Sequence, residues 1–495
     1  MNGLVDSLAP PAPAVDRTRW RALAVIACAQ LMVVLDTTVV NIALPSAQRS
    51  LGISDGDRQW MITAYTLAFG GLLLLGGRLC DLIGRKRAFL TGLAGFAGAS
   101  ALGGTAHTAG EIFAARGVQG VFAALLAPAA LSLLTTTFTE PAERARAFGL
   151  YSAVGGAGSA LGLIAGGLLT QYGSWRWCLY VNVPIAAVAA AGAVPWLVDR
   201  RPGDRGEKLS ARLDIPGALL GCGGLATVVY ALSHAERDGW TDPGTLALFG
   251  TGAGLLAAFA VVEARTGSPL LPARILADRT RFAVYLTIGL AAVAMFGVFF
   301  FLTYYQQTVL GYRPLRTGLG FLPLVGAMLV AATRISARLL PHVAPRTLII
   351  PGLLTAAAGL WLLTGLDVHS SWTTLVLPAQ ILIGLGLGAV AMPCIATATL
   401  GVAERDAGIA SATVNTAQQI GASLGTALLN TIAAGAATRA LTRPGAALDP
   451  ATAAVHGYAV ATAWAAGILL AAAALAATLL QGVRDPSIDA RAVHV

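Results

Sequence analysis

Charge is what this chain lacks most. Of its 495 residues only 12% are charged, against 56% hydrophobic, and the mean hydropathy is +0.71. A soluble domain carries about a quarter charged residues. Half that share, with long uncharged runs, excludes an ordinary globular protein and points to a polytopic membrane protein. Cysteine is scarce too: Cys28, Cys80, Cys178, Cys222 and Cys394 are scattered and odd in number, with no Cys-x-x-Cys spacing. That excludes a disulfide framework or a thiolate metal site and leaves them as small packing residues. The six histidines have no ligand spacing and there is no His-Glu-x-x-His run, so no metal is expected. No Gly-x-x-x-x-Gly-Lys-Ser/Thr phosphate loop occurs, so neither a nucleotide nor another cofactor is implied. An enzyme finds no support. The net charge of +9 could suggest nucleic acid. The arginines, however, sit in short loops between apolar runs rather than on one basic face, which argues against a nucleic-acid partner.

Apolar length is what the chain has in excess. A crossing needs about 20 apolar residues, and fourteen such runs lie near 21–43, 59–77, 87–106, 111–133, 145–171, 176–198, 214–234, 244–264, 281–306, 316–333, 346–366, 372–396, 407–433 and 456–481. Residues 1–20 have no cleavable apolar core and read as a disordered cytoplasmic tail, as do 483–495. With the N-terminus inside, Lys and Arg favour the cytoplasmic segments by about three to one, as the positive-inside rule requires. Dropping one run would invert every later loop and spoil that bias. The expectation is an all-α protein of a bacterial inner membrane, in contact with the lipid bilayer throughout, with both termini cytoplasmic. The longest basic connections, 199–213 and 265–280, bracket the seventh and eighth runs. They divide the chain into a six-helix half at 21–198, a central segment at 199–280 with two extra helices, and a second six-helix half at 281–482.

Few charges interrupt these runs. Gly77-Arg78-Leu79-Cys80-Asp81-Leu82-Ile83-Gly84-Arg85-Lys86-Arg87 reads as a short charged turn between the second and third spans, and its four cations place it on the cytoplasmic face. Asp36 stands inside the first span, in Leu35-Asp36-Thr37-Thr38-Val39-Val40-Asn41-Ile42-Ala43-Leu44-Pro45. An ionised carboxylate at that depth costs roughly 3 kcal/mol on insertion scales unless it pairs or takes a proton. Desolvation favours its neutral form, so such a group can load and release H⁺; the alternative is a structural acid bonded to Thr or backbone. Arg116, in Arg116-Gly117-Val118-Gln119-Gly120, is the one cation inside a span. Counted at about 1.5 Å per residue from the helix ends, it lies at a depth similar to that of Asp36, and the two are expected to share an electrostatic network. In the fifth span, Gly158, Gly162 and Gly166 recur every fourth residue, with Gly167 beside them, and would let another backbone approach closely.

These runs resemble the major facilitator superfamily, and in particular its fourteen-helix drug:proton antiporter branch. The Asp36 run is similar to Leu-Asp-x-Thr-Val-Val-Asn-x-Ala-Leu-Pro of that branch. The turn at 77–87 is similar to the superfamily's Gly-x-x-x-Asp-x-x-Gly-Arg/Lys loop, and Arg116 to its Arg-x-x-Gln-Gly motif. The glycines at 158–167 resemble the antiporter motif Gly-x-x-x-Gly-Pro-x-x-Gly-Gly, with Leu163 in place of the proline. The resemblance implies two six-helix halves rocking about a central cavity. It further implies proton coupling at Asp36 and Arg116, and a cytoplasmic latch of Gly77, Asp81, Gly84, Arg85, Lys86 and Arg87.

For the cargo, Asn415, Gln418 and Gln419 form a polar stripe on the thirteenth span, which fits cavity lining or helix–helix hydrogen bonding equally. Gln30, Asn41, Tyr65, Gln119 and Tyr151 are further cavity candidates. Tyr304 and Tyr305 fit an interfacial aromatic belt better than a binding site. No second carboxylate lies deep in any span, so neutral amphiphilic small molecules are expected rather than multivalent cations. Proton-driven export is the expectation. Uptake or facilitated movement of a metabolite, and a non-transporting receptor or scaffold, are the alternatives.

Overall fold

The structure is a computed structural model that describes residues 17–197, 214–266, 269–271, 273–400, 402, 407–442 and 449–480. The expected tails, apart from 17–20, and the 199–213 connection lie outside those residues. Fourteen long helical segments follow one another among the described residues, with one short turn of helix at Ala273–Leu276 and no strand. They are α1 (Arg17–Leu51), α2 (Trp60–Ile83), α3 (Arg85–Gly104), α4 (Ala109–Thr137), α5 (Pro141–Tyr172), α6 (Trp177–Trp196), α7 (Ile215–Asp238) and α8 (Pro243–Arg265). After them come α9 (Arg279–Val309), α10 (Pro314–Leu339), α11 (Arg346–Gly365), α12 (Trp372–Thr399), α13 (Ala407–Leu441) and α14 (Pro450–Leu479). Thirteen are long and apolar enough to cross a membrane. The remaining one, α3, has 20 residues, opens on Arg85-Lys86-Arg87 and is rich in Gly and Ala, so its apolarity is lower although its length suffices.

Helix is the form these runs adopt because a backbone inside a bilayer must satisfy its polar groups within the segment. Their starts are set by side chains that accept otherwise orphaned N–H groups: Asp214 from Gly217 at 2.8 Å, Asp242 from Thr245 at 3.0 Å and Asp278 from Arg281 at 2.8 Å. The helices alternate in direction. At one end, here the Arg58 end, the Tyr305 hydroxyl donates to the Asp367 carbonyl at 2.8 Å, and Arg176 donates to that of Ala106 at 2.8 Å. At the opposite Arg85 end, Arg78 donates to the Pro269 carbonyl at 3.0 Å and Arg279 to that of Thr478 at 2.7 Å.

Two boundaries depart from the sequence reading. The first helix begins at Arg17, inside the expected tail, and continues past Pro45 to Leu51. The second continues to Ile83, so Gly77, Arg78 and Asp81 lie on a helix rather than in a turn. The only break before α3 is Gly84, whose φ of +94° is a conformation that side chains disfavour. Long basic side chains can keep their heads in water from a helix end, so charge alone did not mark where the helix stops.

The apolar core divides unevenly. Residues of α1 to α6 toward the Arg85 end, such as Ile26, Phe89, Leu126 and Ala189, form a cluster of their own. Toward the Arg58 end, Val39, Ile42, Met61 and Leu163 instead join one large cluster with α9 to α14. Helices α7 and α8 pack on each other, and α7 also touches both α2 and α13. The run Gly421-Ala422-Ser423-Leu424-Gly425 has the spacing of a hydrolase nucleophile elbow. It lies in mid-helix on α13, with Gly421 against Gly289 of α9, and is a packing seam.

Candidate functional site

Asp36 lies in the middle of α1 and is completely buried. Its neighbours Thr37 and Thr38 donate back to the Val34 carbonyl at 2.8 and 3.2 Å. They satisfy themselves, and the carboxylate is neutralised from other helices. From α4, Arg116 Nη1 donates to Asp36 Oδ2 at 2.6 Å. The same nitrogen reaches Gln119 Oε1 at 2.9 Å, while Nε holds the Met61 carbonyl of α2 at 2.9 Å. The guanidinium lies 4.4 Å above the Tyr65 ring. The other carboxylate oxygen, Oδ1, accepts from Asn182 Nδ2 of α6 at 2.7 Å and from Gln119 Nε2 at 3.1 Å. Both amides also donate to Ser100 Oγ of α3.

Side chains of α4 and α6 bond the carboxylate of α1 directly, and α2 and α3 complete the network through Arg116 and the two amides, so five of the first six helices take part. Asp36, Gln119, Asn182, Ser100 and Tyr65 are all wholly buried, and Arg116 is 1% exposed. Two charges withdrawn from water hold only while each has the other and the remaining lone pairs are filled. Here both conditions are met. Protonating the acid would leave a buried, unpaired guanidinium, and the arrangement could not stay as it is.

The sequence reading paired Asp36 with Arg116, and the structure brings them together. Two of its cavity candidates, Tyr65 and Gln119, belong to this network instead. Gln30 and Tyr151 bond each other at 2.6 Å, tying α1 to α5. Asn41 donates to the Thr37 carbonyl at 2.9 Å and leaves its Oδ1 without a partner. On α13, Asn415, Gln418 and Gln419 are half-buried, and Gln419 sits over Gly70 of α2 with a free Oε1. Asn182 and Ser100 were not singled out. An amide in an apolar run just before Pro184 was a signal for the first; a serine among Gly and Ala is ordinary helix packing and gave none for the second.

The glycines at 158–167 make close approaches. Gly158, Gly162 and Gly166 face Leu31, Thr38 and Val39 of α1, while Gly167 turns to Leu315 of α10. Leu163 is buried, with Gly318 of α10 against its carbonyl, and α5 runs unbroken where a proline would have interrupted it. At the Arg85 end, Lys86 donates to the Val194 carbonyl at 2.7 Å and Asp81 is exposed. Among the described residues, no hydrogen bond or ion pair joins Gly77, Asp81, Gly84, Arg85, Lys86 or Arg87 to the last six helices.

One expectation at the Arg58 end fails. Tyr304 and Tyr305 are buried rather than belted at an interface, because both rings face protein and find partners there: the Tyr304 hydroxyl donates to Gln48 Oε1 at 2.5 Å. Arg58, in the connection between α1 and α2, is only 6% exposed. Its Nη1 donates to Asp55 at 3.2 Å and its Nε to Asn430 of α13 at 3.3 Å, and it lies 4.1 Å above the Tyr304 ring.

A model of the Major Facilitator Superfamily matches residues 26–426. The puromycin resistance protein of Streptomyces alboniger is 55% identical over 482 residues, covering 96% of this chain and 94% of that one. The cephamycin export protein of Amycolatopsis lactamdurans is 40% identical over 416 residues, 84% of this chain and 85% of its own. The tetracenomycin C resistance and export protein of Streptomyces glaucescens is 34% identical, over 86% and 78% of the two chains. Among solved structures, a bacterial homolog of the human lysosomal transporter Spinster superposes with a TM-score of 0.66, covering 96% of this chain and 100% of that one. At 16% identity that likeness is one of fold.

Proposed function

We propose that this chain, which belongs to the Major Facilitator Superfamily, exports antibiotic-like small molecules from a bacterial cell in exchange for protons, by alternating access. The family is one of membrane transporters rather than enzymes. The names of the relatives, resistance and export proteins for puromycin, cephamycin and tetracenomycin C, support export as the direction. The single observation that carries the proton is Asp36, the one fully buried carboxylate within a span among the described residues, held by Arg116 at 2.6 Å.

In this reading 21–198 and 281–482 are the moving halves and 199–280 joins them. The charge bias places the Arg85 end in the cytoplasm of an inner membrane, with both termini there, and the Arg58 end outside. The shared core at the Arg58 end and the separate core at the Arg85 end support a conformation closed to the outside. A proton arriving at Asp36 removes the only negative charge beside Arg116. The stranded cation then favours a rearranged first half, and release of the proton restores the network drawn here. The unpartnered atoms of Asn41 and Gln419, with half-buried Gln30, Asn415 and Gln418, are the polar groups available to a cargo between the halves. No second buried acid faces them among the described residues, which favours neutral amphiphiles over multivalent cations. Asp81 and its basic neighbours act as a latch only in the opposite conformation, which agrees with their having no partner across the halves here. Nothing in the structure favours uptake or a receptor role.

The test is export by a drug-sensitive bacterium expressing the chain, with and without an uncoupler. Asp36→Asn should abolish gradient-driven export while the protein remains in the membrane and still binds its drug. Undiminished export by that variant would end the proton reading. Asp81→Asn should slow turnover with binding retained; an equal loss of binding would argue against the latch.

A further inference from the structure

Three pairs of consecutive residues meet at the Arg58 end. From the stretch leading into α2, Arg58 reaches Asn430 of α13 at 3.3 Å, and Gln59 donates to Ser233 of α7 at 2.7 Å. Closing the triangle, Thr431 of α13 donates to the Leu232 carbonyl of α7 at 2.9 Å. All of these side chains except that of Leu232, which acts through its carbonyl, are polar, and each is 6% exposed or less. Beside them Trp60 of α2, Val229 and Leu232 of α7, and Leu424, Ala427 and Leu428 of α13 form a separate apolar cluster. An ion pair between Arg237 and Asp57 joins α7 to the same stretch at the rim. The helix that hydropathy marks as surplus therefore bonds to both of the six-helix groups at once, at the end where their cores merge.

We propose that α7 is a third jaw of the outer gate: it clamps the α2 entrance to α13, and the gate opens only as the Gln59–Ser233 or Leu232–Thr431 seam parts. A helix acting as a mere spacer needs no buried polar bonds to either group. Burying a donor and acceptor without a partner is costly, so each bond formed in the closed state is a bias toward closure; on opening, the Thr431 hydroxyl can fall back on the Ala427 carbonyl at 3.0 Å, whereas the Gln59 amide and the Leu232 carbonyl must turn to water. The clamp is also tied to the proton site. Arg116 Nε holds the Met61 carbonyl, and Met61 follows Arg58, Gln59 and Trp60 directly. A change at Asp36 that moves Arg116 thereby loosens the turn of α2 from which two of the clamping residues project.

The inference rests on the alternating-access reading above, and the following experiment separates the two. Thr303 of α9 is buried with an unpartnered hydroxyl, one helical turn before Gln307, which donates to the Ile42 carbonyl of α1 at 2.9 Å. Thr303→Cys, in the full chain with its five cysteines replaced, places a thiol in the buried layer at the level of Arg58, whose guanidinium lies over Phe300 and Tyr304 on either side of it in the sequence. Intact cells are treated from outside with a membrane-impermeant maleimide, and the labelling rate is read. Ser233→Ala and Thr431→Val, each removing one hydrogen bond between helices along with a contact to its own helix, should raise the rate about twofold to tenfold, and Arg58→Gln at least as much. If Arg58→Gln raises labelling while the other two leave it unchanged, α7 is a spacer and the inference is overturned, with alternating access intact. If none of the three raises it, this end is no gate and both readings fall. Ser233→Ala and Thr431→Val are small changes at separate positions, so agreement between them excludes a folding artefact.

Discussion

Arg116 and Arg58 are both withdrawn from water, yet they are neutralised in different ways. Arg116 has a wholly buried carboxylate at 2.6 Å, a backbone carbonyl, an amide and one aromatic face, all from the first six helices. Arg58 has an exposed carboxylate at 3.2 Å, an amide from α13 and the faces of Tyr304 and Phe300 from α9. The first counter-charge can be cancelled by one proton and cannot be replaced by solvent. The second, that of Asp55, is shared with water. One arginine is held wholly within the first six helices, and the other ties the entrance of α2 to α9 and α13.

That contrast can be broken by substitution. Arg116→Ala strands Asp36 and should destabilise the protein by about 3–5 kcal/mol, whereas Arg58→Ala, losing its hydrogen bonds to Asn430 and the exposed Asp55 and its ring contacts, should cost about 1–3 kcal/mol. Thermal unfolding in detergent compares the two, and equal losses would erase the distinction. Arg116→Lys keeps the charge but cannot hold Asp36, Gln119 and the Met61 carbonyl with one ammonium group. It should retain most of the stability and lose most of the gradient-driven export, while Arg58→Lys should lose little of either. Asn182→Ala removes one of three donors to the carboxylate and should cost about 1–3 kcal/mol, with a shifted pH profile of export that Asn430→Ala at the tie does not show. Ser100→Ala, one shell further out, should have the smallest effect, about 1 kcal/mol or less, and a larger one would mean that Ser100 orients both amides.

The surplus pair α7–α8 shows where reading a sequence stops. Hydropathy and the basic connections at 199–213 and 265–280 set the pair apart from the flanking groups of six. Nothing in that pattern says that Ser233 meets Gln59 at 2.7 Å. The same holds for Tyr304: an aromatic at a span end reads as a belt until the neighbouring helix is placed against it.

The sequence alone determined the number of helices, their alternation, and the pairing of Asp36 with Arg116. Apolar length, charge bias and helical rise are local quantities that add along a chain, and an acid and a base at equal depth in a poor solvent have few other partners. Only the tertiary structure decided that Asn182 and Ser100 complete that pair, that α2 runs through Asp81 to Ile83, that Arg58 is buried, and that among the described residues no hydrogen bond or ion pair joins 85–87 to the last six helices. Those facts depend on which distant helix supplies the missing hydrogen bond, and a buried polar group takes its partner from whatever the fold brings within about 3 Å, regardless of separation along the chain.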